Sequence, residues 1–250
     1  MTQTGTLTFV PSVHFSPTHR RRVRETIREV DPDVVAVELD ARRFERLDRN
    51  GRSTPFDLAQ ELPPPTAAAY ATLRALQRTV VRLYGLDPTK TDMETAIETA
   101  AELDADVALI DDPLVDTLDA LGRRVGIETL PKMLVRAQLM SPEDYARGVE
   151  AMTTSFADVE HGDDVQPMID HVRRLLPEVA EVLIDRRDRS MAARLHRLRS
   201  EGHDVVAVVG AGHHNGIRRV LEDLERESAD PDVVVPIETP SRSVTRIPID

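Results

Sequence analysis

The sequence predicts an α/β fold: a mostly parallel sheet, helices on both of its faces and a helical middle insertion. Three observations carry this. A strand–helix–strand unit opens the chain, and a connection through a helix makes its two strands parallel. The runs Val34–Val37 and Val205–Val209 are continuously apolar rather than alternating, as strands covered on both sides are. Between the strands, apolar residues recur at the helical period.

The first strand is Leu7–Val10. Ser16 suits a helix N-cap and Pro17 the first helical position, where a missing N–H costs nothing. Val23, Ile27 and Val30 then fall on one helix face. Asp31-Pro32-Asp33 ends that helix, because the residue before proline avoids helical geometry, and Val34–Val37 is the second strand. From about 48 to 104 the pattern is helical and partly inserted. Pro63-Pro64-Pro65 punctuates it, and a helix over about 66–83 carries Leu73, Leu76, Val80 and Leu83. Thr91 and Glu94 form a capping box for a helix that turns Met93, Ile97, Ala100 and Ala101 inward. The third strand, Val107–Ile110, ends at Asp111-Asp112-Pro113. From about 114 to 200 the pattern is helical again. Ser141-Pro142-Glu143-Asp144 starts one helix, Pro177 separates two more, and Gly202 closes the last. That last helix buries Val179, Val182, Leu183, Met191, Leu195 and Leu198. The fourth strand, Val205–Val209, passes through the turn Gly210–Asn215 into a helix with Ile217, Val220, Leu221 and Leu224 inward. Val233–Val235 is a fifth strand, and the tail 241–250 is short and irregular. No repeat or linker divides the chain, so a single domain spans 1–250.

Hydrophobic residues make up 40% of the 250 and aromatics only 3%, so aliphatic side chains must fill the core. The absence of cysteine excludes disulfides, thiol nucleophiles and cysteine-type zinc sites. No run reaches the roughly 18 consecutive apolar residues of a membrane span. The N-terminus also lacks the basic region and apolar stretch of a secretory signal. Both point to a soluble cytoplasmic protein. Formal net charge is −12, and only two of the 32 basic residues, Lys90 and Lys132, are lysines. Acidic excess with so little lysine resembles the proteins of salt-loving archaea, whose surface repulsion is screened over about 3 Å at 1 M salt. The same balance argues against a general nucleic-acid binder. Arg20-Arg21-Arg22 lies on a predicted helix and reads as a solvated face.

Three strand ends carry candidate chemistry. His14 follows the first strand, Glu38 ends the second and His213 follows the fourth. In a parallel sheet these ends share one edge, where ligands bind. Two imidazoles and a carboxylate suit a divalent metal such as Mn2+, Co2+ or Zn2+. Glu38 leaves a buried strand and needs a partner, since an unpaired buried charge is costly; a metal, an arginine or a catalytic proton would each serve. Arg42 and Arg43, shortly after Glu38, and the cluster Arg186-Arg187-Asp188-Arg189 could send one member to the site as an anion clamp or oxyanion stabiliser, with solvated helix charge as the alternative. Asp111 and Asp112 reach the same edge, as site groups or as caps. Gly210-Ala211-Gly212 departs from the dinucleotide signature, because Asn215 stands where the third glycine belongs. Its glycines suit a tight strand-to-helix turn. No Gly-x-Ser-x-Gly elbow or His-Glu-x-x-His helix is present.

Together these segments resemble the TraB/pheromone-shutdown (PrgY) family, which is related to the TIKI proteases. The resemblance rests on Val13-His14-Phe15-Ser16, on Pro32 through Asp40 with Arg43, and on Asp92-Met93-Glu94 with Ala96-Ile97. It continues in Ala108-Leu109-Ile110-Asp111, Arg187-Asp188-Arg189 with Met191-Ala192, and Val208 through His213 with Gly216-Ile217. It covers most of residues 5–240 in the family's order. The family is marked by two Gly-x-x-His motifs, a glutamate and an arginine. Gly210-Ala211-Gly212-His213 is the second motif intact, while the first keeps His14 but has Pro11 in place of glycine. Glu38 and Arg187 stand at the glutamate and the arginine. Arg186 replaces the usual acid before that arginine, and Asp112 stands where an arginine is common.

The resemblance implies a metal-dependent hydrolase, most directly a peptidase using manganese or cobalt. His14 and His213 would be ligands, Glu38 a ligand or general base, and Arg187 or Arg43 would steady an oxyanion. The partner would be a peptide or small-molecule substrate, with no nucleic acid, no membrane span, and a homodimer as a compatible assembly. The alternative is a non-catalytic peptide-binding or regulatory protein on the same fold. A nucleotide-binding enzyme is a third reading.

Overall fold

The computed structural model describes residues 4–14, 16–48, 91–125, 128–153, 159–229 and 246–247. Strands β1 (Leu7–Ser12), β2 (Val34–Val37), β3 (Asp106–Leu109) and β4 (Val205–Gly210) form an all-parallel sheet in the order β1-β4-β2-β3. The predicted α/β class is the class observed. Two residues of the tail, β5 (Arg246–Ile247), add antiparallel to β3, so the tail is not wholly irregular as expected. The fifth strand expected at Val233–Val235 and the helix expected over about 66–83 lie outside the described residues.

The helices are α1 (Pro17–Val30), α2 (Ala41–Asp48), α3 (Asp92–Glu102), α4 (Leu114–Arg124), α5 (Thr129–Leu139), α6 (Pro142–Thr153) and α7 (Gly162–Leu175). Then α8 (Pro177–Ala180) runs through a π-helical turn (Glu181–Asp185) into α9 (Arg186–Ser200), and α10 (Ala211–Ala229) follows β4 directly. Among the described residues no helix is long and apolar enough to cross a membrane.

Strand alternation sorts the core into two layers. Val35, Val37, Val107, Leu109, Val206 and Val208 meet Val23 and Ile27 of α1 and Met93, Ala96 and Ala100 of α3. On the other face Val34, Ala36, Ala108, Val205, Ala207 and Val209 meet Met191, Leu195 and Leu198 of α9 and Ile217 and Leu221 of α10. Each such leucine or isoleucine contributes about 1.5–3 kcal/mol by leaving water. In the registered row Ala207, Ala36, Ala108 every residue is small, which leaves room for α9 and α10 to pack on the sheet. The helices α3 and α9 thus belong to the sandwich itself, not to an insertion.

Local chemistry explains most boundaries. The Thr91–Glu94 capping box forms, with the Glu94 N–H donating to Thr91 Oγ1 at 3.1 Å. Within α3 the expected inward set shifts by one turn position: Ala96 is buried and Ala101 is exposed. Ser16 is the N-cap of α1 and Pro17 its first residue, but the serine makes no side-chain capping bond. Gly202 closes α9 at a φ of 93°, a left-handed angle that favours glycine. Thr6 O accepts from Val205 N–H at 3.0 Å, so by alternation Leu7, Phe9 and Pro11 present their backbone groups away from β4. Since β1 is an edge strand, Pro11 gives up no ladder bond there.

Candidate active site

The strand order decides the site. Because β4 lies between β1 and β2, the ends carrying His14, His213 and Glu38 are neighbours, about 4.8 Å apart from strand to strand. They converge on Gly210. A Cβ built there would lie 3.1 Å from Glu38 Oε2, 3.4 Å from His14 Nε2 and 3.7 Å from His213 Cδ2. The three strand-end candidates are therefore brought together, and the missing side chain of Gly210 is the space they share. The glycines of this motif answer to close approach and not, as expected, to turn geometry. Gly202 alone among the described glycines has a positive φ. There is also no open turn, since α10 begins at Ala211 and carries His213 in its first turn.

Each imidazole is held by a buried carboxylate. His14 Nδ1 lies 3.0 Å from Asp92 Oδ1, and Asp92, fully buried, also accepts from Ser12 Oγ–H. The corner before His14 is fixed by Ser16 N–H on Val13 O and Val13 N–H on His19 Nδ1, both at 3.1 Å. His213 Nδ1 lies 2.6 Å from Asp188 Oδ1 on α9. Gly216, one turn after His213, allows this: its Cβ would stand 2.6 Å from Asp188 Cγ.

Arg187 ties the site to β3. Its Nε and Nη2 donate to Asp111 at 2.9 and 2.8 Å, Nη2 also to Glu38 Oε1, and Nη1 to Leu183 O at 3.2 Å and His213 Nε2 at 2.9 Å. An arginine only donates, so His213 Nε2 accepts and its proton sits on Nδ1, toward Asp188. Arg43 is one layer back. Its side chain donates to Asp40 Oδ2 and the Glu38 carbonyl, each at 3.0 Å, and to Asp111. It braces the end of β2 while Arg187 faces the centre.

Burial alone would raise the Glu38 carboxyl. The cations Arg187 and His14 nearby, with the Gly210 N–H on Oε2 at 2.7 Å, instead pull it well below the usual carboxylate range. Burial opposes charging of His14, yet the Asp92 charge and hydrogen bond more than offset it and raise its pKa to about 9. Asp92 is lowered, its burial outweighed by His14 and Ser12. Asp188 is raised by burial, only partly countered by His213.

Sequence reasoning did not assign roles to Ser12, Asp92, Asp188 or Asp111 as a network. One signal was available: Asp188 precedes Met191 and Ala192 by three and four positions, so it falls on the apolar face of α9, where a charge needs a buried partner. Two departures from the family pattern meet in space, with Arg186 Nε 3.9 Å from Asp112 Oδ2. Among the described residues, no three His, Asp or Glu side chains stand ready to hold a metal as placed. The donor set still fits one in kind: two Nε2 atoms whose rings are carboxylate-backed, and an ionised glutamate around an open Gly210. The group that stands in the way is the Arg187 guanidinium on His213 Nε2.

A parallel α/β sheet with a His/Glu/His cluster at its carboxyl edge defines the class of protein. The model of the TraB/PrgY/gumN family matches residues 3–231, and the chain belongs to that family. An uncharacterized protein of Methanocaldococcus jannaschii is 31% identical over 227 residues, covering 86% of this chain and 53% of the relative. The chain thus spans about half the length of that curated relative.

Proposed function

We propose that this protein is a metal-dependent hydrolase acting on a peptide, with His14 and His213 as ligands through Nε2 and Glu38 as the third. The observation that carries this reading is the pair of carboxylate-backed imidazoles. Asp92 and Asp188 take the Nδ1 atoms and leave both Nε2 atoms directed at one centre, as outer carboxylates do for metal-bound histidines. A divalent ion such as Mn2+, Co2+ or Zn2+ would supply Lewis acidity, polarising a carbonyl and lowering the pKa of a water from about 15.7 toward about 7.

The chain's own residues supply the rest. Asp92 and Asp188 stop the rings from turning. Gly210 keeps the centre open. Glu38, held ionised, suits ligation better than proton abstraction. The guanidinium of Arg187 stands beside Glu38 and His213, where its N–H groups would donate to a developing oxyanion. The acidic, lysine-poor composition supports a surface adapted to concentrated salt, so molar salt is the medium for the test.

Protein purified in molar salt should hold stoichiometric metal or take it up, and should cleave peptides faster on addition of manganese. His14→Ala and His213→Ala should each abolish metal binding and keep a folded circular-dichroism spectrum, with a cooperative melt lowered by the loss of the Asp92 or Asp188 partner. Protein that neither binds metal nor gains activity with manganese sinks the hydrolase reading. The Arg187–His213 contact favours a second reading, a non-catalytic peptide-binding or regulatory protein, since it engages a ligand nitrogen. Metal-loaded protein that binds peptides without cleaving them would decide for that reading.

A further inference from the structure

Arg187 is a cation already at the centre. Its Nη1 takes His213 Nε2 at 2.9 Å and its Nη2 takes Glu38 Oε1, two of the three groups assigned to the metal. An unprotonated imidazole nitrogen has one lone pair in the ring plane, so His213 Nε2 cannot serve a guanidinium N–H and a metal ion together. We propose that Arg187 and the divalent metal compete for His213 and Glu38, so that the guanidinium is the counter-cation of the metal-free site and releases His213 when the ion binds. This rests on the metal reading above.

Three features make the exchange feasible. First, Arg187 does not depend on the centre for its place, because Nε and Nη2 stay on Asp111 at 2.9 and 2.8 Å. Second, Nη1 keeps its bond to Leu183 O at 3.2 Å when His213 is released, so a single N–H is freed and it faces the open space at Gly210. Leu183 lies in the π-helical turn that directly precedes α9, the helix carrying Arg187, and such turns concentrate at functional sites. Third, with His14 serving Asp92, the metal-free site needs a cation between Glu38 and Asp111. Glu38, Asp92, Asp111 and Asp188 are all buried, and an unpaired charge among them is costly.

The test is calorimetric titration of the full chain with Mn2+ alone, comparing wild type with Arg187→Met and Arg187→Lys. Both variants should bind Mn2+ tighter by about 10- to 100-fold, the worth of one charge-assisted hydrogen bond given up by the competitor. Both should melt at lower temperature metal-free and recover when loaded. Equal or weaker affinity in a folded variant overturns the competition and leaves the ligand assignment standing. Tightening in Arg187→Met but not in Arg187→Lys means charge repulsion alone, which also overturns it. No Mn2+ binding by any of the three proteins overturns both the competition and the metal reading. Should the variants not fold, nitrogen NMR of wild type decides. Saturating Zn2+ must move the Arg187 guanidinium and His213 ring signals, and zinc binding that leaves the Arg187 signals in place refutes the exchange.

Discussion

Gly216→Ala places one methyl group in the contact between α10 and α9. The added Cβ would stand 2.6 Å from Asp188 Cγ and 3.3 Å from Asp188 Cβ, where ordinary contact begins near 3.4 Å. Gly216 lies in a regular helix with no left-handed φ to satisfy, so the backbone itself accepts alanine. Asp188 must yield instead, and it is 2% exposed. If its carboxylate rotates away, the 2.6 Å bond to His213 Nδ1 is lost, about 1.5–3 kcal/mol for a bond to a charged group. If the helices move apart, overpacking costs about 1–3 kcal/mol. Alanine returns about 0.5–1 kcal/mol through helix propensity. The net expectation is a loss of about 1–2 kcal/mol. Gly122→Ala in α4 is the control, because a Cβ there meets nothing within 4 Å and only the propensity gain remains. Urea unfolding followed by circular dichroism reads both. The two substitutions should have opposite signs. A Gly216→Ala protein as stable as Gly122→Ala would refute the reasoning that Asp188 is wedged against α10 to hold His213.

The remaining expectations follow from other contacts. The His14 pKa is about 9 in the folded protein and 6.5 in the reference state, so its contribution to stability is complete below about 6.5 and fades as pH rises through about 9. Metal-free protein should lose stability from neutral pH toward about 9, by a modest amount because the His14 side chain is 40% exposed. Asp92→Asn should flatten that slope, and a stability that climbs over this range contradicts the assignment. Leu195→Ala empties a fully buried position between α9 and the sheet and should cost about 2–5 kcal/mol in urea midpoints. Pro11→Gly should cost about 0.4–1 kcal/mol through the freer unfolded chain and leave Mn2+ affinity unchanged; a large loss of affinity would mean that Pro11 shapes the site. Melting temperature should rise from dilute to molar potassium chloride, as expected for a chain of net charge −12. A flat or falling melt would remove the halophilic reading.

The legible parts of this fold are the parts with local causes. Continuous valine runs marked β2 and β4, and Thr91 with Glu94 marked the start of α3, because burial on both faces and a capping box are written in adjacent residues. Strand order has no such local signature. Nothing near residue 210 says that β4 inserts between β1 and β2, yet that insertion sets His213 between His14 and Glu38. The expectation that three strand ends share one edge follows from parallel pairing alone. Which ends touch depends on the order. The glycines show the same limit in another form. Their presence was visible, but a turn and a close approach call for the same residue, and only the positions of Glu38 Oε2 and Asp188 distinguish them.

The substitutions at 112 and 186 look, one at a time, like losses. In space they face each other, with Arg186 Nε 3.9 Å from Asp112 Oδ2. The Arg186 side of that pair is 45% exposed and the separation is long, so the pair contributes little by itself. What matters is the remaining use of Asp112. It accepts from Ser190 Oγ–H at 2.6 Å and from Arg194 Nη2 at 3.0 Å, while Arg194 Nη1 donates to the Ile110 carbonyl at the end of β3. The carboxylate at 112 therefore ties the end of β3 to α9, the helix that begins with Arg186 and carries Arg187 and Asp188. Asp111 and Arg187 meet across this same junction. Asp112 thus holds β3 and α9 together beside the Asp111–Arg187 contact. The junction carries Arg187 to the centre, where its contacts include two of the proposed ligands.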